Sequence, residues 1–146
     1  MLRYPAVVVH GLADARSVLA RGAPVTLISA PGAALYAGCL WWRQMVAHAR
    51  RQYPSTPAID VLDCADGSGQ ALAALRIGQQ FIVLAADAPG WHEVAVIAAE
   101  RGGAVWATRP PALDLATRGA SRHLSVHLSR SAGEVGSRSE PGEGPR

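Results

Sequence analysis

Lysine and asparagine are absent from this sequence, and other residue types are scarce. All fourteen basic residues other than histidine are arginines, and the chain has one phenylalanine and two cysteines. Without lysine, the chain has neither a Schiff-base nucleophile nor the phosphate-binding lysine of a P-loop. Those two classes of chemistry are therefore excluded. We attribute the arginine bias to coding composition and base no function on it.

The two cysteines, Cys39 and Cys64, lie in different predicted elements. Their spacing is neither that of a zinc site nor that of a CxxC redox motif. Free cysteine is among the most frequently buried residue types. We therefore expect two reduced thiols in the core and no metal site.

Long apolar runs are also missing. Hydrophobic residues make up 49% of the chain, but no run approaches the roughly 18 residues that span a bilayer. The apolar run after Arg3 soon meets Asp14 and Arg16, which does not fit a signal peptide. We expect one cytoplasmic domain that does not enter a membrane.

The positive charge is concentrated near the end of the chain. The net charge is +3, with nine arginines against eight acids in residues 1–116 and five arginines against three glutamates in residues 117–146. The tail arginines are spread out, and no aromatic side chains lie between them to stack on bases. The sequence does not favour nucleic acid as a partner.

Short apolar runs alternate with helix-like segments through residues 1–116. Runs that are apolar throughout indicate a sheet covered on both faces, and strict alternation indicates parallel strands joined by right-handed crossovers. We predict an α/β domain with a five-stranded, mostly parallel sheet and helices on both faces, a three-layer sandwich of Rossmann or flavodoxin type. A fragment of a (β/α)₈ barrel has the same local pattern. The predicted strands are 5–11, 24–29, 58–63, 80–86 and 104–108.

Helices are predicted between these strands, and Pro110 and Pro111 stop any continuation of the last one. Residues 117–146 are rich in Ser, Gly and Arg and are too polar to offset their chain entropy by burial, so we predict a disordered tail. An edge strand over residues 123–128 and a shifted reading frame are alternatives. The predicted helices span about 14–21, 31–52, 68–77 and 87–101.

Ligands of α/β proteins bind where the carboxyl ends of the strands and the amino ends of the helices meet. Seven polar residues of this sequence follow predicted strands and belong at that edge. They are His10, Ser29, Asp63, Asp66, Asp87, Thr108 and Arg109.

The segment VLDCADGSG, residues 61–69, resembles the first motif of class I S-adenosylmethionine-dependent methyltransferases. The resemblance covers residues 58–90, since the next predicted strand also ends in an acid. It implies that three residues line the methionine part of the cofactor and that one acid binds the ribose hydroxyls. The chain departs from the pattern at the first glycine, and only two predicted strands follow the motif. The implied residues are Asp63, Gly67 and Gly69 for methionine and Asp87 for ribose.

The same residues also have a structural interpretation. Asp66 or Ser68 can cap the following helix, Asp87 can cap the next one, and the glycines can supply a tight turn. This interpretation is preferred for the glycines. Asp63 has the least obvious structural role.

Two further segments suggest binding surfaces. Residues 29–38 contain Ser29 and Gly32 at a helix start, where backbone N–H groups can bind a small anion with Arg109 as countercharge; close packing of the helix is the alternative. The adjacent pair WW draws attention to Trp41. Neighbouring side chains on a helix point about 100° apart, so both tryptophans are buried only when the helix is covered on a broad face. Trp41 is therefore a candidate homodimer or partner surface.

No specific activity follows from the sequence. The best interpretation is a non-enzymatic module that binds a small anionic ligand or a protein partner. The alternative is a methyltransferase-like enzyme that binds its cofactor through residues 61–69.

Overall fold

The protein is represented by a computed structural model that describes residues 3–138. The strands are β1 (Ala6–Val8), β2 (Val25–Ile28), β3 (Ala58–Asp63), β4 (Phe81–Val83), β5 (Ala104–Trp106) and β6 (Ala112–Asp114). The helices are α1 (Leu12–Leu19), α2 (Ala33–Tyr36), α3 (Cys39–Gln52), α4 (Ser68–Arg76), α5 (Trp91–Glu100) and α6 (Ala120–Arg138). The predicted α/β class is confirmed, with six strands where five were expected.

All six strands form one parallel sheet in the order β5-β4-β3-β2-β1-β6. From β1 to β5 every connection steps in the same direction. Right-handed crossovers that all step in one direction place their helices on the same side of the sheet. The topology therefore predicts a helical layer on one face only.

Burial agrees with this arrangement. Every helix contributes buried side chains to the cluster on one face, which we call the helix-covered face. On the opposite face, the open face, the buried cluster contains strand residues, and no helix of residues 3–138 contributes to it. The layering thus differs from the predicted three-layer sandwich. The buried residues of the open face are Ala6, Val8, Ile28, Val61 and Val83.

The sheet is curled. Trp106 ends β5 at one edge and Ala112 begins β6 at the other. Five gaps between flat strands would separate the edges by about 24 Å, whereas six residue steps span at most about 21 Å. The sheet must therefore curl towards its open face, as in a barrel fragment, and residues 107–111 cross that face. We call these residues the crossing loop.

The predicted helix over residues 31–52 is divided in two. Gly38 has a φ of +87°, in the left-handed region that favours glycine, and it separates α2 from α3. The four-residue α2 lies close to β3 and α4. The break lets the chain cover the carboxyl end of β3 before α3 begins.

The segment after residue 116 differs from the prediction of a disordered tail, since residues 120–138 form α6. Ala120, Leu124 and Leu128 are buried at a spacing of four residues, which gives the helix one apolar stripe. The predicted edge strand over residues 123–128 is therefore wrong. A buried stripe at helical spacing also favours a selected segment over a shifted frame. Residues 139–146 of the predicted tail lie outside the described residues.

A helix that crosses a bilayer needs about 20 predominantly apolar residues. Within residues 3–138, no helix combines the length and the apolar character that crossing a membrane requires.

Candidate functional site

Five side chains from distant parts of the sequence meet at the carboxyl end of the sheet. The sequence placed four of them at this edge. The fifth, Asp114, lies at the end of β6, a strand that was not predicted from the sequence. We call this set the carboxyl cluster: His10, Ser29, Asp63, Arg109 and Asp114.

Asp63 is the centre of the cluster and is only 3% exposed. One carboxylate oxygen, Oδ1, accepts a hydrogen bond from the backbone N–H of Ala65 at 2.8 Å. The other, Oδ2, accepts one from Nη1 of Arg109 at 2.7 Å. Asp63 therefore has a clear structural role, because it holds both the turn after β3 and the crossing loop.

Arg109 is fixed through a single nitrogen. In addition to the bond to Asp63, Nη1 donates to the carbonyl oxygen of Ser29 at 3.0 Å. A guanidinium carries five N–H donors on three nitrogens. Among the described residues, Nε and Nη2 of Arg109 have no hydrogen-bond partner, and the side chain is 25% exposed. The arginine is thus held in place with one edge available.

His10 and Asp114 form the second charged pair. Nε2 of His10 lies 2.7 Å from Oδ1 of Asp114, and the two side chains are 36% and 40% exposed. Burial alone would raise the pKa of Asp114, but hydrogen bonds from His10 and the Ala116 N–H, with the charges of His10 and Arg109, lower it below the ordinary value. The carboxylate of Asp114 is therefore ionised at neutral pH and acts as a hydrogen-bond acceptor.

Five predicted site residues lie outside the cluster: Gly32, Asp66, Gly67, Gly69 and Asp87. Asp66, Gly69 and Asp87 are exposed. Neither α4 nor α5 has a side-chain hydrogen bond at its N-cap, so the predicted capping roles of Asp66, Ser68 and Asp87 are wrong.

The turn over residues 63–69 is closely packed. Ala65 adopts a left-handed φ of +50°. A Cβ atom built on Gly67 would lie 2.6 Å from Cδ2 of Leu35, so a larger residue there would have to displace this exposed side chain. Gly32, the residue before α2, is also left-handed, and a Cβ on it would lie 3.6 Å from that of Ala65. Of the two glycines that the methyltransferase resemblance singles out, Gly67 packs against α2, whereas nothing lies within 4 Å of a Cβ atom built on Gly69.

The two cysteines lie outside the carboxyl cluster. Cys39 and Cys64 are both free thiols, as expected. Burial, with the charge of Asp63, raises the pKa of Cys64 to about 12, so it is protonated at neutral pH. In the described part of the chain, no three His, Cys, Asp or Glu side chains are grouped as metal ligands.

A second polar cluster, which the sequence analysis missed, surrounds Asp60 on the helix-covered face. Asp60 is 7% exposed, and its Oδ2 accepts hydrogen bonds from three side chains at 2.9–3.1 Å. A charged residue within an apolar strand needs buried partners, and this signal was present in AIDVLD. We call the set the amino-end network: Asp60, Trp42, Arg43, Gln79 and, at 3.6 Å, Arg50.

A cavity and a groove adjoin this network. A cavity of about 130 Å³ is lined by Arg43, Arg50, Asp60 and Phe81, among others. A broader groove of about 540 Å³ on the outer side of α3 shares Arg43 and also contains Arg51. Arginine side chains therefore line both the cavity and the groove.

Trp41 is less exposed than its proposed partner role requires. It is half-buried against the core and contacts Trp42, with ring centroids 5.9 Å apart. The exposed apolar side chains nearby belong to α2 and the start of α3. We call them the Tyr36 patch: Leu35, Tyr36 and Leu40, exposed by 45%, 70% and 57%.

The fold and its two polar clusters define an α/β protein with a curled parallel sheet and a one-sided helical layer. The sequence matches no protein-family model and no curated protein. Function is therefore inferred from the geometry of the chain's own residues.

Proposed function

We propose that the protein is a non-enzymatic binding module that holds a small carboxylate- or phosphate-bearing ligand at the carboxyl cluster. The observation that carries this proposal is the fixation of Arg109 through Nη1 alone. Its remaining edge has the fork of donors that matches a carboxylate or phosphate. A preorganised arginine of this kind loses little freedom when it binds.

The position of the cluster supports the same proposal. Ligands of parallel α/β sheets bind beyond the carboxyl ends of the strands, and in curled sheets they bind at that mouth. His10 and Asp114 lie beside Arg109 and supply further donors and acceptors. Because the carboxylates of Asp63 and Asp114 accompany the guanidinium of Arg109, the site suits a ligand with one anionic group and additional polar groups.

The test is a thermal-shift panel of phosphate, small carboxylates, nucleotides and S-adenosylmethionine, since a ligand that binds only the folded state raises the Tm. We expect one anionic ligand class to raise the Tm, and Arg109→Gln to abolish that rise relative to its own unliganded Tm. Arg109→Lys should weaken binding, because it keeps the charge and loses the fork. Arg76→Gln, at an exposed arginine of α4, is the matched control. Equal shifts in wild type and Arg109→Gln would contradict the proposal.

The cofactor-binding alternative rests on a different contact. The hydroxyl of Ser68 donates to the carbonyl oxygen of Pro89, so the turns after β3 and β4 meet. This brings the loop of Asp87 beside the turn of Gly67, the two segments that the methyltransferase resemblance assigns to one cofactor. A shift with S-adenosylmethionine that Asp87→Ala removes and Arg109→Gln leaves intact would favour this enzyme over the binding module.

The partner-binding alternative rests on the Tyr36 patch. Exposed aromatic and aliphatic side chains close together are typical of interaction surfaces. We propose a homodimer or a protein partner on this face, in a cytoplasmic protein. Sedimentation equilibrium should then show a dimer that dissociates in Tyr36→Glu, whereas Val96→Glu, at another exposed apolar residue, serves as the control.

A further inference from the structure

We infer that the amino-end network is a second site, separate from the carboxyl cluster, that binds a phosphate group in the cavity beside Asp60. Two arginines, Arg43 and Arg50, face a single carboxylate there. Arg51 and His48 line the adjoining groove. The cavity therefore carries an excess of positive charge, which favours an anionic occupant.

Arg50 pairs with Asp60 by charge and forms no hydrogen bond to it. The Oδ2 atom already accepts hydrogen bonds from Trp42, Arg43 and Gln79. Nη1 of Arg50 lies 3.6 Å from Oδ1, which is beyond hydrogen-bond distance. A structural role explains the position of Arg50 as the cation nearest to Oδ1, but within residues 3–138 Arg50 makes no hydrogen bond, so its donors are available to a ligand in the cavity.

Arg43 resembles Arg109 in how it is held. Its Nη1 donates to Oδ2 of Asp60 and to Oε1 of Gln79, each at 3.1 Å. No further hydrogen bond of its guanidinium to Asp60 or Gln79 is present in the described residues. One edge of Arg43 is thus fixed by buried partners, and the rest of the guanidinium lines the cavity beside Arg50.

The size of the cavity selects the ligand. Its volume is about 130 Å³, against about 30 Å³ for one water molecule in the liquid. It has room for one small tetrahedral anion with accompanying water and excludes a nucleic-acid strand. Its arginines suit the phosphate group of a monoester as well as inorganic phosphate.

The two sites are separated by the sheet. The alternation of β3 puts Asp60 on the helix-covered face and Asp63 on the open face. Variants of Arg50 and Arg109 therefore report on the two sites separately.

The experiment is a calorimetric titration of the full chain with inorganic phosphate and, in a second arm, with phenyl phosphate, at constant ionic strength. Arg50→Gln should weaken phosphate binding about tenfold or more, because it removes a charge-assisted hydrogen bond. Arg76→Gln should change it less than about twofold. Asp60→Asn should strengthen binding, because it removes the carboxylate that competes for the arginines. Tighter binding of phenyl phosphate than of phosphate would identify a monoester as the ligand.

Arg50 is 45% exposed, so its replacement should leave the urea midpoint nearly unchanged and any loss of binding can be read directly. The inference is overturned when Arg50→Gln and Arg76→Gln weaken binding equally, when neither phosphate compound binds, or when Arg109→Gln alone removes all phosphate binding. Loss in Arg50→Gln with no effect of Arg109→Gln on any ligand supports this site and contradicts the function proposed for the carboxyl cluster.

Discussion

Asp60 and Asp63 lie three residues apart on β3, and each is buried and bound by an arginine through Nη1. Their surroundings differ. Asp60 faces the helical layer and is bonded by the buried side chains of Trp42 and Gln79. Asp63 faces the open side, where its partners are a turn N–H and an arginine of the crossing loop. One strand thus supports two charged clusters of different kinds.

The two clusters differ in whether solvent can replace the hydrogen-bond partners of the central aspartate. Trp42 and Gln79 are fully buried, so loss of Asp60 leaves their buried donors without this acceptor. Around Asp63, the partially exposed Arg109 can turn to solvent. We infer that the amino-end network contributes more to stability and that the carboxyl cluster is better able to exchange its internal partners for a ligand.

The largest effect is expected from Asp60→Ala. It leaves Arg43, Trp42 and Gln79 without their shared acceptor, and removing one partner of a buried pair costs about 3–5 kcal/mol. Urea unfolding should show this loss. Asp66→Ala removes an exposed carboxylate and should change stability by less than about 0.5 kcal/mol. A loss below about 1 kcal/mol for Asp60→Ala would show that the network is not a stability element.

A smaller loss, about 2 kcal/mol, is expected from Asp63→Ala, because it removes a charged hydrogen bond and the acceptor for Ala65. The crossing loop should also become more susceptible to trypsin at Arg109. Asp63→Asn keeps an acceptor for the N–H of Ala65, so it should lose less stability than Asp63→Ala. Equal losses for Asp60→Ala and Asp63→Ala would remove the contrast between the two ends of β3.

The sequence was informative about local structure. The strand over residues 58–63 matches β3 because it is apolar and lies between turn-forming residues. The one-sided layering was not predictable in the same way. The open face is covered by Phe81, Trp106 and Ala112 of the curled sheet itself, so its strands are as apolar as those of a three-layer sandwich.

The rule that α/β proteins bind ligands at the carboxyl ends of their strands found the functional residues that follow predicted strands, such as Asp63 and Arg109. It missed Asp114, because a three-residue strand directly after two prolines carries no periodic signal. It also missed the environment of Asp60, whose side-chain partners lie 17–19 residues away in the sequence. Tertiary pairing of this kind leaves only the anomaly of a charge within an apolar strand.

The smallest effect concerns the outermost pair of the carboxyl cluster, His10 and Asp114. The pKa of Asp114 is lowered because bonds and charges around it outweigh burial. A carboxyl group with a lowered folded-state pKa contributes stability above its unfolded value of 3.8, and that contribution is lost as the pH falls through the folded value. Wild type should therefore lose more stability than Asp114→Asn between about pH 5 and pH 3 in urea unfolding.

The difference between these two proteins should stay below about 1 kcal/mol, since both side chains of the pair are more than one third exposed. It should shrink further in about 0.5 M NaCl, where exposed charges are screened. Asp87→Asn, at an exposed carboxylate outside the cluster, should follow the wild-type curve. Parallel curves for wild type and Asp114→Asn would show that the pair adds nothing to the folded state, and Arg109 would then remain as the anchor of the carboxyl cluster without a neighbouring proton donor.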